Sequence, residues 1–113
     1  MHELSVTQSV LEIVLTHAEQ AGASRVQRVN IVIGELSGIV GESVQFYFDF
    51  VSKDTLAEGA ELVFRRTPAQ FRCQACGATY EPQGADWTCP LCHQLRPEAI
   101  GGQELLIESI EVE

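Results

Sequence analysis

Positive charge is scarce in this sequence. Seven lysines and arginines stand against 16 aspartates and glutamates, for a formal net charge of −9. Nucleic acid is therefore a poor partner, because binding needs a basic surface that displaces counterions, and only Arg65, Arg66 and Arg72 cluster at all. Long apolar runs are missing as well. Nothing approaches the roughly 18 to 20 residues that span a bilayer, and the start lacks a basic region followed by an apolar block, which points to a cytoplasmic protein with no membrane contact. No internal repeat beyond a doubled Cys-x-x-Cys, no low-complexity stretch and no extended linker interrupts the chain. Nor is there a phosphate loop, or a nucleophile and base in a supporting context, so catalysis is not expected.

What is present fits one small domain. The chain has 113 residues, 45% hydrophobic and 20% charged, close to the globular average. From Leu4 to about Ala21, Leu4, Leu11, Val14, Leu15 and Ala18 recur at helical spacing, flanked by Val10 and Ala21, and predict an amphipathic helix. Ser5 with Gln8 fits a capping box and Gly22 a C-terminal stop. Residues 26–33 are β-branched and end in Gly34, predicting a strand, followed by a loop to Gly41. Residues 42–53 are too densely apolar for an alternating strand and predict a second, largely buried helix. Residues 61–67, stopped by Pro68, and 104–112 complete the strands. The expected fold is α+β: a small mixed sheet with two helices on one face and an inserted zinc-ribbon-like lobe. Residues 1–69 and 101–113 form the α/β domain and 70–100 the lobe, with Gly101-Gly102 as a hinge at its exit.

Cys73-Gln-Ala-Cys76 and Cys89-Pro-Leu-Cys92 lie twelve residues apart. Two such turns can converge four thiolates tetrahedrally, the arrangement Zn²⁺ prefers, and a closed four-sulfur shell leaves no open position for substrate or water. A structural zinc site is expected, in preference to paired disulfides, a thioredoxin-like redox pair or an iron–sulfur cluster. Gly77 and Pro90 suit the turns, and Tyr80 and Trp87 can shield the metal. His93 has no place in a complete shell; it reads as an exposed histidine or as a group touching the thiolates.

His2 offers different chemistry. A terminal amine, the amide nitrogen of His2 and its imidazole can close two fused chelate rings, a planar nitrogen set suited to Ni²⁺ or Cu²⁺, with Glu3 as a further donor. On residue chemistry alone, an incidental histidine remains the alternative. His17, near the end of the first helix, reads as a dipole-compensating residue.

Taken together, Met1-His2-Glu3-Leu4-Ser5, Ile33-Gly34-Glu35-Leu36-Ser37, Ala57-Glu58-Gly59, the two cysteine pairs with Cys92-His93, and the closing Ser109-Ile110-Glu111-Val112-Glu113 resemble the HypA/HybF family of hydrogenase nickel-insertion factors over essentially the whole chain. The resemblance implies a nickel metallochaperone, with Ni²⁺ as cargo on His2 beside Glu3 and structural Zn²⁺ on Cys73, Cys76, Cys89 and Cys92. It implies an accessory GTPase and the precursor of a [NiFe]-hydrogenase large subunit as partners; a homodimer is compatible with it. Some members carry a histidine just after the first cysteine pair, where this chain has Gly77-Ala78-Thr79. The competing reading is a zinc-ribbon module that binds protein or nucleic acid.

Overall fold

A computed structural model describes residues 3–113. The elements run α1 (Glu3–Gln20), β1 (Val26–Gly34), α2 (Gly41–Val51), β2 (Glu61–Thr67), β3 (Gln70–Cys73), β4 (Thr79–Tyr80), β5 (Pro97–Gly101) and β6 (Leu105–Val112). This is the expected α+β arrangement, with strands β3, β4 and β5 as an addition inside the cysteine segment. The chain divides into two compact units. One comprises the described residues up to Val32 with Gly38–Arg65 and Leu106–Glu113, the other Ile33–Ser37 with Arg66–Leu105.

In the first unit, α1 buries Thr7, Val10, Val14 and Ala18, residues spaced three and four apart along one stripe. That stripe is rotated from the one expected. Leu4 is exposed and Leu11 and Leu15 are only half-buried, because the smaller Val10 and Thr7 face the interior instead. The described helix already includes Glu3 and Leu4, so Ser5 sits inside it and cannot be the N-cap. Its other end is as expected. Gly22 takes φ +66°, its amide donates to Glu19 O, and the Ala23 amide donates to Ala18 O, the Schellman pattern that satisfies the last carbonyls.

The three-stranded sheet has the order β2-β1-β6. Arg28 in β1 bonds Glu61 at the start of β2, and the Glu35 amide after β1 donates to Thr67 O at its end, so β1 and β2 run in the same direction. Parallel strands need a crossover, and α2 supplies it. Against β6 the ends are reversed: the Glu113 amide donates to Arg25 O, and the Gly34 amide to Glu104 O. The sheet is therefore mixed. Its polar residues form a surface network in which Arg28 reaches Glu61 and Glu111 and Asn30 donates to Ser109 and Glu111. Exposed pairs of this kind contribute little, about 0–1 kcal/mol each. Stability comes from the buried residues Val26, Val29, Ile31 and Ile33 of β1 with Val44 and Phe48 of α2.

Helix α2 packs on α1 but is not largely buried as its composition implies. Only Val44 and Phe48 are enclosed, whereas Phe46 and Phe50 are 72% and 70% exposed. Ser52, directly after the helix, is fully buried, and its Oγ has no hydrogen-bond partner. An unsatisfied buried hydroxyl costs about 1–3 kcal/mol. Ser52→Ala is accordingly expected to raise the thermal unfolding midpoint by several degrees, and a lower midpoint on calorimetry would show that the hydroxyl is satisfied in solution.

Candidate metal centre

In the second unit β3 is the central strand, antiparallel to β4 through Phe71–Tyr80 and Arg72–Thr79 and to β5 through Phe71–Ala99, Arg72–Glu98 and Cys73–Pro97. The strands are short and carry no long alternation, which is why sequence periodicity missed them. Phe71, 2% exposed, is the local core. Tyr80 and Trp87 pack on it with ring centroids 5.8 and 4.9 Å away, and the Tyr80 hydroxyl donates to Trp87 O at 2.5 Å. The two aromatics expected to shield the cysteines thus pack on a third, Phe71. Its signal was placement: Phe71 is two residues before Cys73 on a strand, so both point to the same side.

The cysteine turns are built alike. The Gly77 amide donates to Cys73 O at 2.8 Å and the His93 amide to Cys89 O at 3.0 Å; the Cys73 amide donates to Ala78 O and the Cys89 amide to Gln94 O. Each turn closes on a left-handed residue directly after its second cysteine, Gly77 at φ +78° and His93 at φ +61°. Glycine takes that conformation freely, whereas histidine does so at a cost. The sequence match of Gly77 and His93 was available to reveal this role. His93 is exposed in the structure.

These turns bring all four Sγ atoms within 4.8 Å of one another. Cys73 and Cys92 sulfurs are 3.5 Å apart and those of Cys76 and Cys89 3.7 Å. A bond between sulfurs requires about 2.05 Å, and none exists here; all four cysteines are free. A zinc ion with Zn–S distances of about 2.3 Å sets its tetrahedral sulfurs about 3.8 Å apart, which these spacings fit. Cys73 and Cys89 are buried while Cys76 is exposed, so the centre is enclosed on one side.

Backbone amides and neighbouring sulfurs push the four thiols in opposite directions, Cys73 and Cys89 down and Cys76 and Cys92 up. The Cys92 amide, directed at the Cys89 sulfur, holds that thiol down to about 7. The Cys76 amide likewise lowers Cys73. At Cys92 the Gln94 amide also acts to lower the thiol, but burial and the neighbouring sulfurs outweigh it and carry it up to about 12. Without metal, four thiolates cannot share this volume; a divalent cation removes the conflict and deprotonates coordinating thiols outright.

The root of this unit is a packed crossing. Gly34 lies so close to the chain at Gly102 that an added Cβ would sit 2.2 Å from the Gly102 carbonyl carbon and oxygen. The Leu36 amide donates to Gly102 O at 2.5 Å, and the Glu35 carboxylate accepts from the Ala69 amide at 3.0 Å. Glu104 accepts from the Thr67 hydroxyl and the Gly102 amide, and these bonds, in that order, hold its carboxyl below the ordinary carboxylate range. Its stabilising effect is therefore present above the unfolded carboxyl range and is lost as pH falls through the depressed folded value. Gly102 is buried at φ +91°, and a Cβ there would meet Ala69 Cα at 2.7 Å. The Gly101-Gly102 step is thus required by close approach, not by swing.

Of the other expected site residue, Glu3 is the first residue of α1 and half-buried, its carbonyl accepting from the Thr7 hydroxyl. A carboxylate there also complements the helix dipole. His2 lies outside the described residues. His17 occupies the last turn of α1, as expected. No helix among the described residues is long and apolar enough to cross a membrane.

A small mixed sheet, a helix pair and an inserted strand lobe define an α+β protein whose four converging sulfurs could hold one metal ion. Comparison with known proteins narrows the class. Residues 1–112 match the family model described as hydrogenase/urease nickel incorporation, metallochaperone, HypA. The chain is 47% identical over its full length, and over 95% of the relative, to the hydrogenase maturation factor HypA of Dehalococcoides mccartyi. It is 46% identical to the factor of the same name from Caldanaerobacter subterraneus, with both chains covered in full. The solution structure of the Ni metallochaperone HypA from Helicobacter pylori matches 99% of this chain and 97% of its own, with a TM-score of 0.70 and 25% identity. A second solution structure of a HypA protein, also 25% identical, gives 0.74 over the whole chain. The chain belongs to the HypA family of nickel metallochaperones.

Proposed function

We propose that this protein binds Ni²⁺ at its N-terminus and delivers it, with an accessory GTPase, to the precursor of a [NiFe]-hydrogenase large subunit in the cytoplasm. The observation that carries this reading is a family match that begins at residue 1 and takes in His2 and Glu3 together with all four cysteines. His2 supplies imidazole and amide nitrogens and the terminal amine a third, a planar nitrogen set that selects Ni²⁺ or Cu²⁺ over Zn²⁺. Glu3 orients or completes that set. Residues 1–69 and 101–113 form the nickel-binding part, and residues 70–100 the zinc-binding part, with Zn²⁺ on Cys73, Cys76, Cys89 and Cys92.

The two centres have opposite requirements. A chaperone must release its cargo, so it needs few ligands and an open edge at which an acceptor can offer donors before the old ones leave. A closed four-thiolate shell does not permit such exchange, and this separates the zinc centre from delivery. No step of this process requires bond-making catalysis by the protein.

His2→Ala is expected to lower nickel affinity at least about tenfold while zinc stays near one per chain. Isothermal titration with Ni²⁺ and metal analysis on the same untagged sample read the two centres separately. A residue added before Met1 should act like the substitution, since it removes the amine from the chelate. Unchanged nickel affinity in both proteins would place the site elsewhere.

A further inference from the structure

We propose that the outward stripe of α2, built on Phe46 and Phe50, is a docking surface for a partner protein that presents an apolar patch rimmed by lysine and arginine. Glu42, Phe46 and Phe50 stand four apart and Asp49 three after Phe46, so they share one ridge of α2, and Lys53 lies in the turn just beyond its end. Val44 and Phe48, the residues that hold α2 in the core, lie on another side. The ridge is free of the packing that explains the rest of the helix. Phe46 and Phe50 are 72% and 70% exposed, and neither is needed to fill the core.

Scattered single apolar residues on a surface need no explanation, but two adjacent phenylalanines expose on the order of 300 Å² of ring surface, a patch size typical of interaction sites. Tyr47 meets Phe46 edge-on at 5.5 Å, and the Lys53 ammonium lies over the Phe50 ring at 5.5 Å. Phe46, Asp49, Phe50 and Lys53 line a shallow hollow of 260 Å³. Because the two rings stand one helical turn apart, they present a row that fits the groove of another helix.

Charge selects the partner. Glu42 and Asp49 flank the rings and are exposed, and the whole chain carries −9, so a basic rim is attracted and an acidic one repelled. A second copy of this chain fits less well. It would bring two chains of −9 together, and the patches of both would bury roughly 600 Å², well short of the roughly 1,200 Å² of a stable interface. A basic partner can extend the contact over the acidic surroundings, giving a transient, salt-sensitive complex. This inference goes beyond the nickel reading and does not depend on it.

The test uses two synthetic helical peptides with the same leucine stripe, one flanked by lysines and one by glutamates. Each is titrated into the full-length protein and into F46S/F50S, which keeps the charge unchanged. Backbone amide NMR shifts map the site, and anisotropy of labelled peptide gives the affinity. The lysine peptide is expected to bind in the micromolar range, shift the amides of α2, and weaken at least tenfold in F46S/F50S and again at high salt. Melting and zinc content of the variant should match the parent; if they do not, the single substitution F46Q repeats the comparison. Equal binding to parent and variant, equal binding of both peptides, or no binding overturns the proposal. A parent dimer that F46S/F50S converts to monomer in sedimentation overturns it in favour of a second copy.

Discussion

Cys89→Ser is expected to release the structural metal and unfold the lobe of residues 70–101, while leaving most of the helical signal intact. Cys89 is buried, its thiol is held down to about 7, and its sulfur sits 3.7 Å from that of Cys76. Serine offers a hydroxyl that does not ionise near neutral pH and a hard donor in place of a soft one. The remaining scaffold is thin: strands of four, two and five residues around a single buried ring, Phe71. Small units of this kind fold on the metal, whose binding supplies about 10–16 kcal/mol in zinc-finger peptides. Both long helices belong to the other unit, with its own buried core of Val14, Ile31, Val44 and Phe48. Metal analysis should therefore show zinc lost, Trp87 fluorescence should report an opened lobe, and circular dichroism near 222 nm should change little. Chelation of the parent protein should reproduce this. A variant that keeps full zinc and unchanged fluorescence would mean that the four sulfurs are not the metal shell.

Gly34→Ala and Gly102→Ala should each destabilise the protein by at least about 3 kcal/mol, lowering the unfolding midpoint by roughly 15 °C. At Gly34 the added carbon would lie 2.2 Å from backbone atoms of Gly102, and at Gly102 it would lie 2.7 Å from Ala69 Cα in a left-handed conformation besides. Backbone cannot move aside as the end of a flexible side chain can, so relief requires the bonds from Leu36 to Gly102 and from Gly34 to Glu104 to part. Gly22→Ala is the control. Its φ is +66° but nothing lies within 4 Å, so it should cost only the left-handed penalty of about 1–2 kcal/mol. Gly34 has no positive φ, so a near-neutral Gly34→Ala together with a Gly102→Ala cost no larger than that of Gly22→Ala would show that conformation alone, and not close approach, makes glycine necessary at the crossing.

Much of this architecture is legible from residues next to one another in sequence. The spacing of two in each cysteine pair sets the turn, and Gly22 sets the end of α1, because both are local events governed by backbone geometry. The strand over residues 61–67 likewise appears where Pro68 ends it. Boundaries were less secure where tertiary packing competes with local signals. Ser5 carries the pattern of a cap, yet α1 continues to Glu3. Leu4, Leu11 and Leu15 outweigh Val10 and Thr7 in hydrophobicity, but the space against the neighbouring elements admits the smaller side chains.

The sequence by itself determined the inventory of donor atoms and charge: four cysteines at matched spacing, a histidine at position 2, and a formal net charge of −9. These follow from the identity of donor atoms and from net charge, which do not depend on how the chain folds. Only the tertiary structure decided that Phe48 is buried while Phe46 and Phe50 face solvent, that Phe71 is the core of the lobe, and that Gly34 touches Gly102. Those pairings join residues far apart along the chain, and no local periodicity carries their distance. The four-sulfur site itself lies between these cases, since its ligands were legible one pair at a time, but their convergence within 4.8 Å required β3 and β5 to set the two turns side by side.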